Sequence, residues 1–290
     1  RVSKLANVAS MESHGVEFTL STRNISTKNF KWTTDFIFSN AKNKVTELKS
    51  DANVMSMISG SGFALEGNPV RSLYSLNFQG LNKEGLPTFI NEKGELTVTD
   101  INFQERENKS HLVYEGSTDP TITGSFGNIF SYKGFKLNVF MTYSFGNVIR
   151  LDPVFHNAYS DLDATPREFK NRWTVAGDEK ITTVPVIADL RQNTMNSYLN
   201  KAYNAYNYST ERIAKGDFIR MKEISVTYEF PKTMVSKLSL SNLSLKIQGT
   251  NLFLLYADKK LNGQDPEFFN SGGVAVPVPK QFTLTLRLGI

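Results

Sequence analysis

Towards its C-terminus the chain alternates apolar and polar residues with a period of two, the mark of strands with one oily and one wet face. Between Phe218 and Phe230 the even positions hold Phe218, Ile224, Val226, Tyr228 and Phe230, with Glu223, Ser225, Thr227 and Glu229 between them. Leu243, Leu245, Ile247, Gly249, Asn251, Phe253 and Leu255 form a second row of this kind. Phe282, Leu284, Leu286, Leu288 and Ile290 alternate without exception with Gln281, Thr283, Thr285, Arg287 and Gly289.

Upstream, Val16, Phe18 and Leu20 alternate with polar residues, and Phe30, Trp32, Phe36 and Phe38 follow after the polar link Asn24 to Asn29. So short a link predicts a hairpin. A second hairpin is predicted where Thr121 to Phe130 turns through Ser131, Tyr132, Lys133 and Gly134 into Phe135, Leu137, Val139, Met141, Tyr143 and Phe145. Val70 to Gly80 reads as one further strand, and Val54 to Ser59 as a weak one that keeps the number of crossings even before Thr121. The count is then nine or ten strands. Short helices are expected in Glu168 to Trp173 and in Thr194 to Tyr208.

The connections fall into two classes. Asn24 to Asn29, Ser131 to Gly134 and Pro231 to Asn242 are short, whereas 40–69, 82–119, 146–216 and 257–279 are long. Short turns at one end and long loops at the other describe a transmembrane β-barrel. Alternation also fits a soluble β-sandwich, but the strands here run about ten to thirteen residues, long enough to cross a bilayer at a tilt. Aromatic residues also gather at strand ends, as interfacial girdles require. On the barrel reading Phe282, Leu284, Leu286 and Leu288 face lipid, while Thr283, Thr285 and Arg287 face the lumen.

Composition changes this picture little. The 290 residues include 21 Phe, 11 Tyr and no Cys, with a formal net charge of +5. Absence of cysteine excludes disulfides and thiolate metal sites. The Lys and Arg residues are scattered singly, so nucleic acid is not expected as a partner. No run of 18 apolar residues exists, which excludes a transmembrane helix but not a barrel.

Candidate chemistry is thin. Asp161 with Asp163, or Asp265 with Glu267, are the carboxylate pairs a glycoside hydrolase would need, but each lies in a polar loop where solvated carboxylates are the rule. His156, with Asp152 and Asp161 nearby in sequence, is a weak metal signal. No catalytic residue, metal or cofactor is expected. The constellation that remains is Tyr198, Tyr203, Tyr206 and Tyr208 with Asn196, Asn200, Asn204 and Asn207. Rings and amides together suit a sugar, a peptide or a protein lid, and they equally suit a loop packing its own tyrosines.

Several motifs resemble those of the SusC/RagA family of TonB-dependent outer-membrane transporters of Bacteroidetes. His14-Gly15-Val16-Glu17, Phe30-Lys31-Trp32 and Asn43-Lys44-Val45 are similar to consecutive motifs of that family. So are Gly116 to Pro120, and Gly124, Phe126 and Asn128 with Tyr132 to Phe135. The most specific stretch is Gly216 to Ile224 with Tyr228 and Pro231, followed by Asn251-Leu252-Phe253 and Asp265-Pro266-Glu267. Two departures stand out: the family ends in an aromatic residue, where this chain has Leu288-Gly289-Ile290, and its acidic loop appears only as Asn91 to Glu95.

The resemblance implies an all-β fold, the C-terminal portion of a 22-stranded antiparallel transmembrane barrel whose plug domain lies outside these residues. It implies outer-membrane localisation, contact with lipid, and import of a glycan or peptide. The implied partners are a SusD-like lipoprotein, the TonB-ExbB-ExbD complex acting through the plug, and a second copy in a dimer of transporter–lid pairs. The alternatives are a passive or adhesive barrel and a soluble β-rich glycan-binding protein.

Overall fold

A computed structural model describes residues 9–49, 52–60, 62–155, 166–269 and 278–290. In chain order the elements are β1 (Ala9–Ser26), β2 (Phe30–Leu48), α1 (Val54–Ile58), β3 (Ser72–Leu76), β4 (Phe78–Leu81), β5 (Pro87–Ile90), β6 (Leu96–Thr97), β7 (Leu112–Ser117), β8 (Ile122–Tyr132), β9 (Phe135–Phe145) and β10 (Val148–Arg150). They continue with α2 (Leu190–Met195), α3 (Leu199–Asn207), β11 (Ile213–Lys215), β12 (Phe218–Glu229), α4 (Lys232–Val235), β13 (Asn242–Ala257) and β14 (Gln281–Gly289).

Seven strands make one antiparallel sheet in the order β1-β2-β8-β9-β12-β13-β14. The expected antiparallel sheet is present, but with seven strands among the described residues rather than nine or ten. Val54 to Ser59 is not a strand. Asn53 caps it through a 2.8 Å bond from the Ser56 amide, and Val54, Met57 and Ile58, at helical spacing, are buried. Val70 to Gly80 does not cross either: β3 pairs with β7, and β4 with β5. Positions 49–121 are therefore one long connection from β2 to β8. With that correction, long and short connections alternate strictly along the sheet.

The two faces can be read across the registers, because directly paired residues share a face. Trp32, Phe130, Leu137, Val226, Ile247 and Leu284 form one transverse row. Its neighbour, on the opposite face, is Lys31, Ser131, Lys136, Thr227, Lys246 and Thr285. Ile247 and Leu284 are exposed, the latter by 69 %. An apolar face of this size left uncovered by its own chain needs another medium or partner against it.

One expected row breaks. The β12 register steps between Met221 and Glu223 against both neighbours, so Lys222 is bulged and parity reverses. Phe218 pairs with Ser144 on the polar side, while Ile219 and Met221 carry on the apolar face opposite Tyr143 and Met141. In β13, Asn251 adopts a φ of 52° at the matching irregularity, a conformation Asn tolerates better than most residues. A further step there pairs Ile219 with Tyr256, so Tyr256 rather than Leu255 continues the row.

Local chemistry explains the hairpins and the motif residues. Lys133 (φ 45°) and Gly134 (φ 89°) form the two-residue turn, both positive as a type I′ turn requires. The Trp32 indole donates to Asn128 Oδ1 at 2.9 Å, as does the Thr34 hydroxyl at 2.8 Å, so two motif residues on neighbouring strands satisfy each other. Gly124 lies under the Tyr143 ring, whose hydroxyl donates to the Ile37 carbonyl at 2.8 Å; a Cβ there would sit 2.1 Å from that carbonyl oxygen.

The largest apolar core is not in the sheet but in its long connections. Val54, Met57, Ile58, Tyr74, Leu76 and Phe89 from 49–121 pack with Val154, Phe155, Phe169, Val184, Ala205 and Tyr206 from 146–217. The Phe78 ring meets Tyr206 edge-on at 5.6 Å, and the Leu76 amide donates to the Tyr208 carbonyl at 3.0 Å. Each large apolar side chain so buried contributes about 1.5–3 kcal/mol, which offsets the roughly 1–2 kcal/mol per residue that ordering backbone costs. The connections thus form a folded cap at one end of the sheet.

Candidate functional site

The tyrosine–asparagine constellation lands in this cap, on α2, α3 and the turn between them, and the structure divides it. Tyr206 has no exposed surface, and Tyr203 donates its hydroxyl to the Val186 carbonyl at 2.7 Å. Burial pushes both phenols well above their ordinary value. Tyr208 is half-buried beneath the Arg150 guanidinium, 5.6 Å from its ring centre. Asn207 is buried and clamps the preceding segment: it accepts from the Val154 amide at 3.0 Å and donates to the Phe155 carbonyl at 2.6 Å. Asn204 is half-buried, and Asn196 closes α2 by donating to the Gln192 carbonyl at 3.0 Å. Asn200 is exposed.

Tyr198 is the exception, 70 % exposed with Lys201 Nζ 5.1 Å above its ring. Its φ of 65° is unusual for a bulky residue. Such strain persists only where the surroundings impose it. Here the neighbours are the Asp189 capping box of α2 and the buried Leu199 that starts α3.

Charged residues that sequence reasoning passed over organise the rest of the cap. Arg212, 4 % exposed, forms an ion pair with Glu168 and donates to the Asp152 carbonyl at 2.6 Å. Glu168 in turn accepts from Asn262 at 2.6 Å, and Lys260 Nζ lies 3.7 Å from Glu211. These contacts join the connection 146–217 to the connection 258–280. Around them opens a pocket of about 590 Å³, lined among others by Lys170, Arg172, Asp178, Thr183, Tyr206 and Arg212. Nearby, Arg150 donates to the Tyr74 carbonyl at 2.6 Å and ties in 49–121; burial draws it down to about 10, so it stays charged at neutral pH.

A second lock accounts for the carboxylates of the Asp265-Pro266-Glu267 motif. Arg220, buried on the polar face of β12, reaches Asp265 Oδ1 at 2.5 Å and Glu267 Oε2 at 3.2 Å. Asp265 is nearly as buried as its partner and also accepts from the Glu267 amide at 3.1 Å. Asp265 is thereby taken up in a structural tie between a sheet strand and a loop, while Glu267, 42 % exposed, borders it. Asp161, Asp163 and His156 lie outside the described residues. In the Asn91 to Glu95 turn, Asn91 Oδ1 accepts from the Lys93 and Glu95 amides, and Lys93 Nζ meets Asp100 at 3.1 Å.

No family model matches the chain. Three curated proteins of Formosa agariphila do. TonB-dependent receptor P3 is 26 % identical over 281 residues, covering 91 % of this chain. TonB-dependent receptors P39 and P26 are each 25 % identical and cover 98 % and 99 % of it. The chain spans only 26 % to 31 % of those relatives' lengths. Among solved structures, the RagAB peptide transporter aligns with a TM-score of 0.70 at 21 % identity, over 98 % of this chain and 30 % of its own. The RagAB peptide importer in its open-open and closed-closed states aligns equally well. These relatives are receptors and transporters, not enzymes. These likenesses agree with the resemblance carried by the motifs: the chain is similar to curated TonB-dependent receptors, and its sheet has the fold of part of the RagAB transporter.

Proposed function

We propose that these residues form part of the wall and the outward cap of an importer that carries a nutrient, a glycan or peptide, across the outer membrane. In this reading the apolar face meets lipid and the polar face lines the lumen. Strand β1 pairs only with β2 and β14 only with β13 among the described residues. Edges of this kind are not tolerated in hydrocarbon, so further strands complete the wall. The plug, and through it the TonB-ExbB-ExbD complex, act from outside these residues, and a SusD-like surface lipoprotein closes over the cap. A dimer of transporter–lid pairs is the corresponding assembly.

The observation that carries this reading is the strict sorting of connections. All three long ones, 49–121, 146–217 and 258–280, leave the same end of the sheet, and the first two share a core. With the final strand running towards the periplasm, that end lies outside. A cap with its own core is a surface on which a lid can rest. The exposed Tyr198 is the member of the tyrosine constellation placed to touch one, together with Asn196. Removing 194–208 would not test this, because it would also remove Leu199, Ala205 and Tyr206 from the cap's interior. The test is Tyr198→Ser in the full-length protein, with lid co-purification and uptake as readouts: both should fall while heat stability is kept. Unchanged lid recovery and unchanged uptake would remove the recognition role from Tyr198.

A further inference from the structure

The pocket at the seam of the connections 146–217 and 258–280 carries an inference of its own, which rests on the import reading above. Its lining charges do not cancel locally. Arg212 is matched by Glu168, and Lys260 by Glu211. Asp178 is held by the Thr174 and Val175 amides and the Thr174 hydroxyl through one oxygen, all at 2.9–3.0 Å. Those hydrogen bonds keep its carboxyl below the usual range, hence ionised. Lys170 and Arg172, two residues apart on the rim, have no carboxylate partner among the described residues; Arg172 rests over the Phe169 ring at 5.1 Å. Behind this rim Arg212 and Tyr206, both almost wholly buried, face each other.

Two cations without carboxylate partners, at a pocket walled by hydroxyls and amides, select for a negative group. The planar guanidinium of Arg172 fits a carboxylate by geometry as well as charge. Thr182, Thr183, Asn171 and Asn262 add hydroxyls and amides around the wall, and Leu151 and Val184 supply apolar surface. We propose that this pocket is a subsite for a carboxylate-bearing ligand, its carboxylate held between Lys170 and Arg172 and its polar body lying along Thr182, Thr183 and Asn262. Because Lys260 and Asn262 come from the other connection, an occupant here bridges two loops of the cap. A peptide C-terminus and a uronic acid both supply this chemistry.

Calorimetry on the full-length protein in detergent separates the outcomes. The titrants are tetra-alanine with a free C-terminus, its C-terminal amide, trigalacturonate, and neutral maltotriose. At least one of the two carboxylate titrants should bind, and its neutral counterpart should bind about tenfold more weakly or worse. Lys170→Gln with Arg172→Gln should cost a similar factor, and added salt should weaken binding further. Tetra-alanine binding alone identifies a peptide source; trigalacturonate binding alone identifies an acidic glycan. The proposal is overturned if neither carboxylate titrant binds at millimolar concentration, or if the double variant binds as the parent does. Either result, with uptake intact, would remove the subsite and leave the import reading standing.

Discussion

The assignment of faces can be tested on β9, whose ends carry their own markers. The strand begins at Phe135 and ends at Tyr143 and Phe145, so its aromatic residues bracket ten steps of about 3.4 Å, roughly 34 Å along the strand. At a tilt of about 40° that is roughly 26 Å of height, close to the apolar band of about 25 Å that outer-membrane barrels present. Met141 lies near the middle of this span, between Phe126 of β8 and Met221 of β12, with no polar neighbour in its row. Arginine there would stand in hydrocarbon near the midplane, at a cost of about 2–4 kcal/mol. Asn138, on the other face, already donates to Glu223 Oε1 at 3.0 Å. Arginine at that site keeps a carboxylate partner, and its cost should stay within about 1 kcal/mol. Folding of the full-length protein into vesicles, followed by heat-modified mobility across a denaturant series, measures both. If Met141→Arg folds like the parent while Asn138→Arg loses about 2–4 kcal/mol, the faces are reversed.

Other outcomes follow from the cap. Asp265→Asn leaves the buried Arg220 with Glu267 as its one carboxylate and should cost about 1.5–3 kcal/mol locally, seen as faster amide exchange in 258–269 with the sheet unchanged. Tyr206→Ala should cost about 3–5 kcal/mol by opening a cavity in the cap's core, whereas Tyr198→Ala should leave the melt unaltered; equal losses would contradict the division drawn between the two. His111 is buried, and burial lowers its pKa despite the nearby Glu92 and Glu105 and the Asn108 backbone, which act the other way. A base depressed in the folded state gives full stability above its unfolded value of 6.5 and loses it as pH falls. The cap should therefore melt at a lower temperature at pH 5.5 than at 7.5, and His111→Gln should flatten that difference.

Strands were legible where a half-covered sheet imposes period two, which is why β8, β9 and β14 stand out in the sequence alone. Motif residues read only as resemblance turn out to be contacts, Trp32 with Asn128 and Arg220 with Asp265. The failures have physical causes. Five residues are too few to separate helix from strand, although Val54, Met57 and Ile58 carry helical spacing. A single bulge at Lys222 reverses every later side chain, and nothing in Met221-Lys222-Glu223 announces it. Phe78 and Tyr206 meet across two connections, and Arg212 finds Glu168 in a different turn of the same one, so neither contact leaves a local pattern. The tyrosines of 198–208 illustrate the limit best: four similar residues within eleven positions split between core and surface according to where α3 places them.

Labelling on intact cells tests the central claim most directly; these 290 residues contain no cysteine, and any elsewhere in the full-length protein is replaced first. Single cysteines are placed in the full-length protein at Tyr198 in the cap and at Lys133 in the short turn between β8 and β9, and exposed to a maleimide that cannot cross the outer membrane. The account predicts that Tyr198→Cys reacts on whole cells, while Lys133→Cys reacts only after the outer membrane is opened. Labelling of Lys133→Cys on whole cells, with Tyr198→Cys silent until lysis, would invert the topology, and equal labelling of both would remove the membrane from the account.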